Sequence, residues 1–144
     1  MILPDVNVLV YAFHADAADH ARYRPWLLDV VNGPTELALT DATLIGFVRL
    51  VTNPRVFEDP APIGEAVGFA SHLTQARGAR WLASTAAAWD RFEAIASSDR
   101  QVRANLVPDA WLAALAISNG CRLATADRGF ARFDGLDWFD PVPA

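Results

Sequence analysis

Short apolar segments alternate with longer segments of helical periodicity along most of the chain. Apolar residues in the long segments recur every three or four positions, which is typical of a helix with one buried face. Parallel strands are joined by crossovers of a dozen or more residues, usually a helix, so the alternation favours a mostly parallel sheet. The sequence therefore predicts an α/β fold, a three-layer α/β/α sandwich.

The ends of the predicted elements follow from glycines, prolines and capping residues. Asn32-Gly33-Pro34 ends the second helix, and Asn119-Gly120 ends the last one. The stretch from Asn53 to Pro62 contains three prolines and is predicted to be a loop. Asp127 to Phe130 is predicted to be a turn or short helix. We expect strands at 2–6, 36–40, 80–82, 122–125 and 136–139, and helices at 8–14, 18–31, 41–51, 63–76, 85–98 and 110–118.

Length and composition indicate a single domain spanning residues 1–144. Apolar residues make up 53% of the 144 residues, above the share of about 45–50% in soluble domains. The excess predicts a thick core and a surface that a partner covers. No apolar run approaches the roughly 20 residues of a membrane span, and the N-terminus lacks the basic start of a signal peptide. Cys121 is the single cysteine, which agrees with a cytoplasmic location.

The charge pattern excludes several classes of enzyme. All 12 basic residues are arginines, and the formal net charge is −5. A P-loop needs a lysine, and so do phosphoaspartate enzymes and receiver domains. An acidic chain is not an obvious nucleic-acid binder, because basic side chains on phosphates supply most non-specific affinity. A carboxylate site that binds cations accounts for part of this imbalance, since the cations reverse the local charge.

Four aspartates fall where predicted strands and helices meet. Asp5, Asp41 and Asp127 follow predicted strands, and Asp109 precedes the last helix. In an open α/β sheet these positions share the edge where ligands bind. Crowded carboxylates repel one another, and Mg²⁺ relieves the repulsion because it prefers oxygen ligands. A site of this kind favours hydrolysis of a phosphodiester.

Each of these aspartates alone has a simpler explanation. Asp41 and Asp109 can cap helices, and Asp127 can form an Asx-turn. Asp5 is the hardest to explain, because an acid in an apolar strand is costly unless it is paired or binds a metal. Taken together, Asp5, Asp109 and Asp127 favour a metal site.

Four segments, in order, resemble the motifs of the PIN-domain family, and in particular its VapC-type ribonuclease toxins. Asp5-Val6-Asn7 resembles the Asp-x-Asn motif that opens the family's chains. Val107 to Ala116 resembles the third motif, in which an acid opens an alanine-rich helix. Leu123 to Phe130 resembles the fourth, a Thr-x-Asp turn that ends in Phe. Gly46 to Arg55 resembles the segment that follows the second motif.

The resemblance implies an endoribonuclease that depends on Mg²⁺ or Mn²⁺ and leaves 5′-phosphate and 3′-hydroxyl ends. It implies cleavage of RNA of the translation machinery, inhibition by a cognate VapB-type antitoxin, and a homodimer. Asp5 and Asp109 would be the main metal ligands, and Asp127 would assist them directly or through water. Asn7 and Thr125 would orient these ligands.

The chain departs from the family at the second motif, where Leu44 stands at the usual glutamate position. Asp41 lies three residues earlier, on the same helical face. It either replaces the glutamate or only caps the helix. Without a fourth acid, one metal ion is the expectation, and a catalytically inactive PIN fold that binds RNA or protein is the alternative function. Phosphoaspartate chemistry at Asp5 fits poorly, because it needs a second aspartate where Asn7 stands, and a lysine.

The remaining polar and aromatic residues carry weaker predictions. The three histidines have no zinc-site spacing and are predicted to be solvent or turn residues. The tryptophans are predicted to pack in the core or a subunit interface rather than on bases. Arg49 is predicted to hold a site carboxylate by a charged hydrogen bond. Two arginine pairs are candidate phosphate contacts: Arg22 with Arg24, and Arg77 with Arg80.

Overall fold

The computed structural model describes residues 1–144, which form five strands, six α-helices and one short 3₁₀-helix. The strands are β1 (Ile2–Pro4), β2 (Leu37–Leu39), β3 (Ala79–Trp81), β4 (Arg122–Ala124) and β5 (Trp138–Phe139). The helices are α1 (Val6–Phe13), α2 (His20–Asn32), α3 (Asp41–Val51), α4 (Ile63–Thr74), α5 (Ala86–Ser98) and α6 (Leu106–Ser118). The 3₁₀-helix (Arg128–Arg132) lies between β4 and β5.

The strands form one parallel sheet in the order β3-β2-β1-β4-β5. Ile2 of β1 pairs with Leu37 of β2 on one side and with Arg122 of β4 on the other. The strand order therefore reverses at β1, and such a switch point opens a crevice at the carboxyl ends of the strands. We call this side of the sheet the carboxyl edge. The predicted α/β sandwich is confirmed.

Helices cover both faces of the sheet, because side chains of a strand alternate between its two faces. Leu37 and Leu39 of β2 join one core cluster with residues of α1, α2, α3 and α4. Ala38 joins the other cluster, which contains Leu3, Leu123 and residues of α5 and α6. The strands are buried on both sides, which explains why they are apolar throughout rather than alternating.

Helix α6 begins earlier than the sequence predicted. The predicted start was Ala110, whereas the structure begins the helix at Leu106, with Asn105 as its N-cap. Pro108 therefore lies in the first turn, where its missing N–H has no helical acceptor to lose. Asp109 follows it within the helix and does not cap it.

The tryptophans are less buried than predicted. None of the five belongs to the buried core, and the side chains of Trp81 and Trp89 are 58% and 53% exposed. Trp89 and Trp111 contact Phe92 in an aromatic group between α5 and α6. The core prediction is wrong for Trp81 and Trp89. No helix has the length and hydropathy that a membrane crossing would need.

Candidate active site

Three of the four aspartates lie on neighbouring elements at the carboxyl edge. Asp5 directly follows β1, and Asp127 comes three residues after the end of β4, the strand paired with β1. The backbone N–H of Asp5 extends this pairing, since it donates to the carbonyl oxygen of Ala124 at 2.9 Å. Asp109 reaches the same edge from the first turn of α6. The parallel sheet thus gathers residues that are more than 100 positions apart in sequence.

Asp5 is buried, and both of its carboxylate oxygens accept hydrogen bonds. Its side chain is 7% exposed. Oδ1 accepts from the backbone N–H of Val6 at 2.7 Å, which caps α1, and Oδ2 accepts from the Thr125 hydroxyl at 2.8 Å. Burial raises the pKa of Asp5 and the charge of Asp127 adds to this, while the bonds from Thr125 and Val6 oppose it. The site therefore holds this carboxylate in one orientation at a cost in solvation.

Asp109 is half-buried and has no hydrogen-bond or salt-bridge partner among the side chains. Burial is the largest cause that raises its pKa, followed by the charges of Asp5 and Asp127, and together they bring the pKa to about 6. The three carboxylates therefore lie close enough to repel one another. The simpler explanation of Asp109 as an N-cap is wrong, because Asn105 takes that position.

Asp127 is exposed and caps the 3₁₀-helix, where its Oδ1 accepts from the backbone N–H of Gly129 at 2.7 Å. Its own backbone N–H donates to the Thr125 hydroxyl at 3.0 Å. A Cβ at position 129 would lie 2.9 Å from Oδ1 of Asp127, so this approach requires glycine. The predicted Asx-turn is therefore present, and it does not exclude a second role at the site.

Thr125 connects the two outer parts of the site. Its fully buried hydroxyl donates to Asp5 and accepts from the backbone of Asp127. Asn7 lies in the first turn of α1, is partly exposed and makes no side-chain hydrogen bond within the chain. The geometry thus gives Thr125 a direct contact with the carboxylates and leaves the amide of Asn7 free.

The donor set fits a divalent cation that prefers oxygen ligands. None of the three salt bridges of the chain involves Asp5, Asp109 or Asp127, so no arginine neutralises them. No three acidic, histidine or cysteine side chains converge closely enough to hold one ion directly. At most two of the carboxylates would therefore ligate an ion directly, with others acting through water, as is usual for Mg²⁺.

The structure places the second-motif residues apart from this group. Asp41 is exposed at the first position of α3, where Oδ1 accepts from the backbone N–H of Ala42 at 2.8 Å. Thr40, not Asp41, is the N-cap of this helix. Leu44 is 7% exposed and packs in the core. Arg49 is exposed and forms no salt bridge, so the predicted bond to a site carboxylate is wrong.

Two further predictions need correction. His14 is buried rather than a solvent or turn residue: Nδ1 accepts from the backbone N–H of Asp16, and Nε2 lies 2.8 Å from the carbonyl oxygen of Asp59. Of the arginine pairs, Arg80 is held by a salt bridge to Glu36 and Arg22 by the carbonyl of Pro143. Arg77 and Arg80 line a cavity of about 900 Å³ beside the start of β3, at the edge opposite to the aspartates.

The fold and the site together define an α/β protein whose carboxylates line the switch point of a parallel sheet. The sequence profile of the PIN domain matches residues 2–136. Over 142 residues the chain is 42% identical to VapC ribonuclease Mb2897 of Mycobacterium bovis and to ribonuclease VapC43 of Mycobacterium tuberculosis, covering 99% of this chain and 96% of each relative. It is 34% identical to ribonuclease VapC33 of M. tuberculosis over 99% of both chains.

Solved structures agree in fold. VapBC2 from Rickettsia felis, bound to a DNA fragment from its promoter, has a TM-score of 0.71 at 16% identity, covering 97% of this chain and 98% of that one. VapBC-1 from nontypeable Haemophilus influenzae has a TM-score of 0.70 at 18% identity, covering 98% of both chains. The chain belongs to the PIN-domain family, in the group of the VapC ribonucleases, and the resemblance in its motifs is confirmed.

Proposed function

We propose that the protein is an endoribonuclease that depends on Mg²⁺ or Mn²⁺ and is the toxin of a toxin–antitoxin pair. One observation carries the proposal: three mutually repelling carboxylates, one of them with its pKa raised to about 6, share a site that contains no cationic side chain. Perturbed carboxylates in a crevice are typical of functional sites. The relatives at 34–42% identity are named as ribonucleases.

The residues divide the work as follows. Asp5 and Asp109 would hold the cation, and Asp127 would act through a water or directly. A bound divalent cation supplies the positive charge that favours attack of water on a phosphodiester. Thr125 fixes the rotamer of Asp5 through its 2.8 Å bond, and Gly129 lets the carboxylate of Asp127 stay beside the backbone. The products would carry 5′-phosphate and 3′-hydroxyl ends.

The proposed partners follow from the relatives and from the surface. Two of the similar structures are VapBC complexes, which supports a VapB-type antitoxin as inhibitor. We propose RNA of the translation machinery as substrate, a cytoplasmic site of action and a homodimer. Exposed apolar side chains such as Ile45 (68% exposed) and Trp81 (58%) support surfaces that a partner covers.

The test is cleavage of total cellular RNA by purified, antitoxin-free protein with Mg²⁺, with Mn²⁺ and with EDTA. Asp5→Asn and Asp109→Asn are compared with Asp134→Asn, which removes an exposed acid that makes no salt bridge. We expect discrete fragments that need the cation, disappear in the first two variants and persist in the third. Ligation that requires 5′-phosphate ends would verify the products. Full activity of both site variants would contradict the proposal.

A second function has some support, because Leu44 is buried where the family places a glutamate. A catalytically inactive PIN fold would then serve as a binding module for RNA or protein. Calorimetric titration with Mn²⁺ separates the two functions. An active site binds Mn²⁺ in the millimolar range or tighter and loses this binding in Asp5→Asn, whereas an inactive fold shows no binding that depends on Asp5.

A further inference from the structure

The segment from Asp99 to Asn105, which we call the α5–α6 linker, leads into the turn that carries Asp109. Arg132 of the 3₁₀-helix holds it in place. Its Nε donates to Oδ2 of Asp99 at 3.0 Å, and its Nη2 donates to Oε1 of Gln101 at 2.6 Å. The Arg132–Asp99 side chains are only 27% and 28% exposed, about half as much as those of the other two salt bridges. The planar guanidinium suits such a double contact.

The linker also has internal bonds that fix its shape. The backbone N–H of Gln101 donates to Oδ1 of Asp99 at 2.9 Å, and the N–H of Val102 donates to the carbonyl of Asp99 at 3.1 Å. The Gln101 N–H and the Arg132 guanidinium hold the pKa of Asp99 below its usual value, so the salt bridge persists at neutral pH. The linker is therefore a defined turn attached to the helix that follows Asp127.

Three arginines project from this assembly without a partner. Arg100 stands between the two residues that Arg132 holds, and Arg103 accepts, through its carbonyl, the N–H of Leu106 at the start of α6. Arg128 directly follows Asp127. All three are exposed, and none makes a salt bridge or a side-chain hydrogen bond. Sequence and packing thus place them beside the turns that carry Asp109 and Asp127.

An acidic nuclease needs such a feature. At a net charge of −5 the chain as a whole repels RNA, so affinity for the backbone must come from local cations. Arginine donates charge-assisted, bidentate bonds to phosphate. The chain has more acids than bases, yet these three arginines remain unpaired, while Arg132, buried among them, is spent on the shape of the linker.

Resting on the proposed nuclease function, we propose that Arg100, Arg103 and Arg128 bind the phosphates that flank the cut position of a single-stranded RNA segment, with Arg132 as a positioning residue that sets the linker. The contacts are to the backbone and do not depend on base sequence. The arginines on one side and the carboxylates on the other then define the path of the strand across the carboxyl edge.

Binding of a fluorescein-labelled 20-nucleotide single-stranded RNA of mixed sequence tests the contact. All proteins carry Asp5→Asn so that the probe is not cut. Arg103→Gln/Arg128→Gln is compared with Arg55→Gln/Arg77→Gln, which removes two exposed, unpaired arginines outside these turns. Each phosphate contact on a single strand contributes about 0.7 to the slope of log K against log salt. We expect about tenfold weaker binding at 150 mM salt and a slope smaller by about 1 in the first variant only.

Equal binding by the two double variants would overturn the proposal, and so would equal losses in both. The readout is independent of cleavage, so it also separates this proposal from the proposed function. If the wild-type chain cuts no RNA but the arginines prove to bind the probe, the nuclease function fails and the binding surface stands. If it cuts RNA and the arginines contribute nothing to binding, the nuclease function stands and the surface fails.

The positioning role of Arg132 has its own test. Arg132→Gln removes both contacts to the linker and should weaken binding of the same probe about threefold, roughly half of one contact's free energy of about 1.4 kcal/mol. In the background of Arg100→Gln/Arg103→Gln the same substitution should have no further effect, because the residues it positions are gone. A lysine at position 132 should restore part of the loss. Additive effects in the two backgrounds would show that Arg132 does not act through the linker.

Discussion

The hydroxyl of Thr125 donates a 2.8 Å hydrogen bond to Oδ2 of Asp5, across 120 positions of sequence, and accepts the backbone N–H of Asp127 at 3.0 Å. One buried side chain thus sets the relative position of two of the three acids. It also opposes the rise in the pKa of Asp5 that burial causes. The hydroxyl therefore keeps the buried carboxylate both oriented and easier to ionise.

We expect Thr125→Val to lower RNA cleavage by tenfold or more and to destabilise the fold by about 1–3 kcal/mol. The methyl group fills the space but leaves the Asp5 carboxylate and the Asp127 N–H without a partner. Thr125→Ser keeps the hydroxyl and should retain most of the activity. Urea denaturation and initial cleavage rates measure the two effects. A valine variant with wild-type rates would show that the bond does not matter for the site.

The pH dependence of stability follows from the raised pKa of Asp109. Below pH 3.8 this carboxyl is protonated both folded and unfolded, and the full stability is present. As pH rises through about 6, Asp109 ionises in the folded state against Asp5 and Asp127, and stability is lost. After allowance for the partial exposure of this side chain, the loss is about 1 kcal/mol in metal-free protein.

Urea denaturation at pH 4.5 and 7.5 in EDTA, compared between the wild type and Asp109→Asn, measures this loss. We expect the wild type to gain on the variant at the lower pH and to fall behind at the higher pH. Millimolar Mg²⁺ should stabilise the wild type at pH 7.5 and have little effect on Asp109→Asn. Parallel pH profiles of the two proteins would mean that Asp109 titrates normally.

The sequence predicted the layers of the fold because the strands and helices differ in length and periodicity. It missed the start of α6, since a proline is tolerated throughout the first turn and Asn105 caps without a side-chain bond. It could not separate core from surface for Trp81 and Trp89, because an apolar face looks the same whether the chain or a partner covers it. His14 is buried only because residues 57–59 pack on it: Phe57 stacks at 3.8 Å and Asp59 supplies a carbonyl.

The site divides in the same way. Strand ends could be predicted from the sequence, so Asp5 and Asp127 were placed on one edge before any coordinates. The partners of their oxygens depend on rotamers and on tertiary contacts, which the sequence does not encode locally. The linker held by Arg132 is of this second kind, since its bonds to Asp99 and Gln101 span more than 30 positions. Gly129 carried a signal, a glycine two residues after an acid, that sequence reasoning did not use.

Asp41 can be assigned by separating activity from stability. Its side chain is exposed and is not the N-cap of α3, so Asp41→Asn should change the free energy of unfolding by no more than about 0.5 kcal/mol. If Asp41 replaces the family's glutamate, the variant should cut RNA about tenfold more slowly. Glu65→Gln, an exposed acid in the first turn of α4, is the matched control. Unchanged cleavage by Asp41→Asn would limit the site to three aspartates.

Gly129 separates the position of the Asp127 carboxylate from its charge. A Cβ there would lie 2.9 Å from Oδ1 of Asp127, closer than carbon and oxygen tolerate, so Gly129→Ala must push the carboxylate away and break the 2.7 Å bond that it accepts. We expect cleavage about tenfold slower, at a cost of about 1 kcal/mol for the lost cap. Gly64→Ala, where a Cβ meets nothing within 4 Å, should keep full activity. If Gly129→Ala cuts RNA at the wild-type rate, the carboxylate of Asp127 is not needed where the structure places it, and the cation would depend on Asp5 and Asp109 alone.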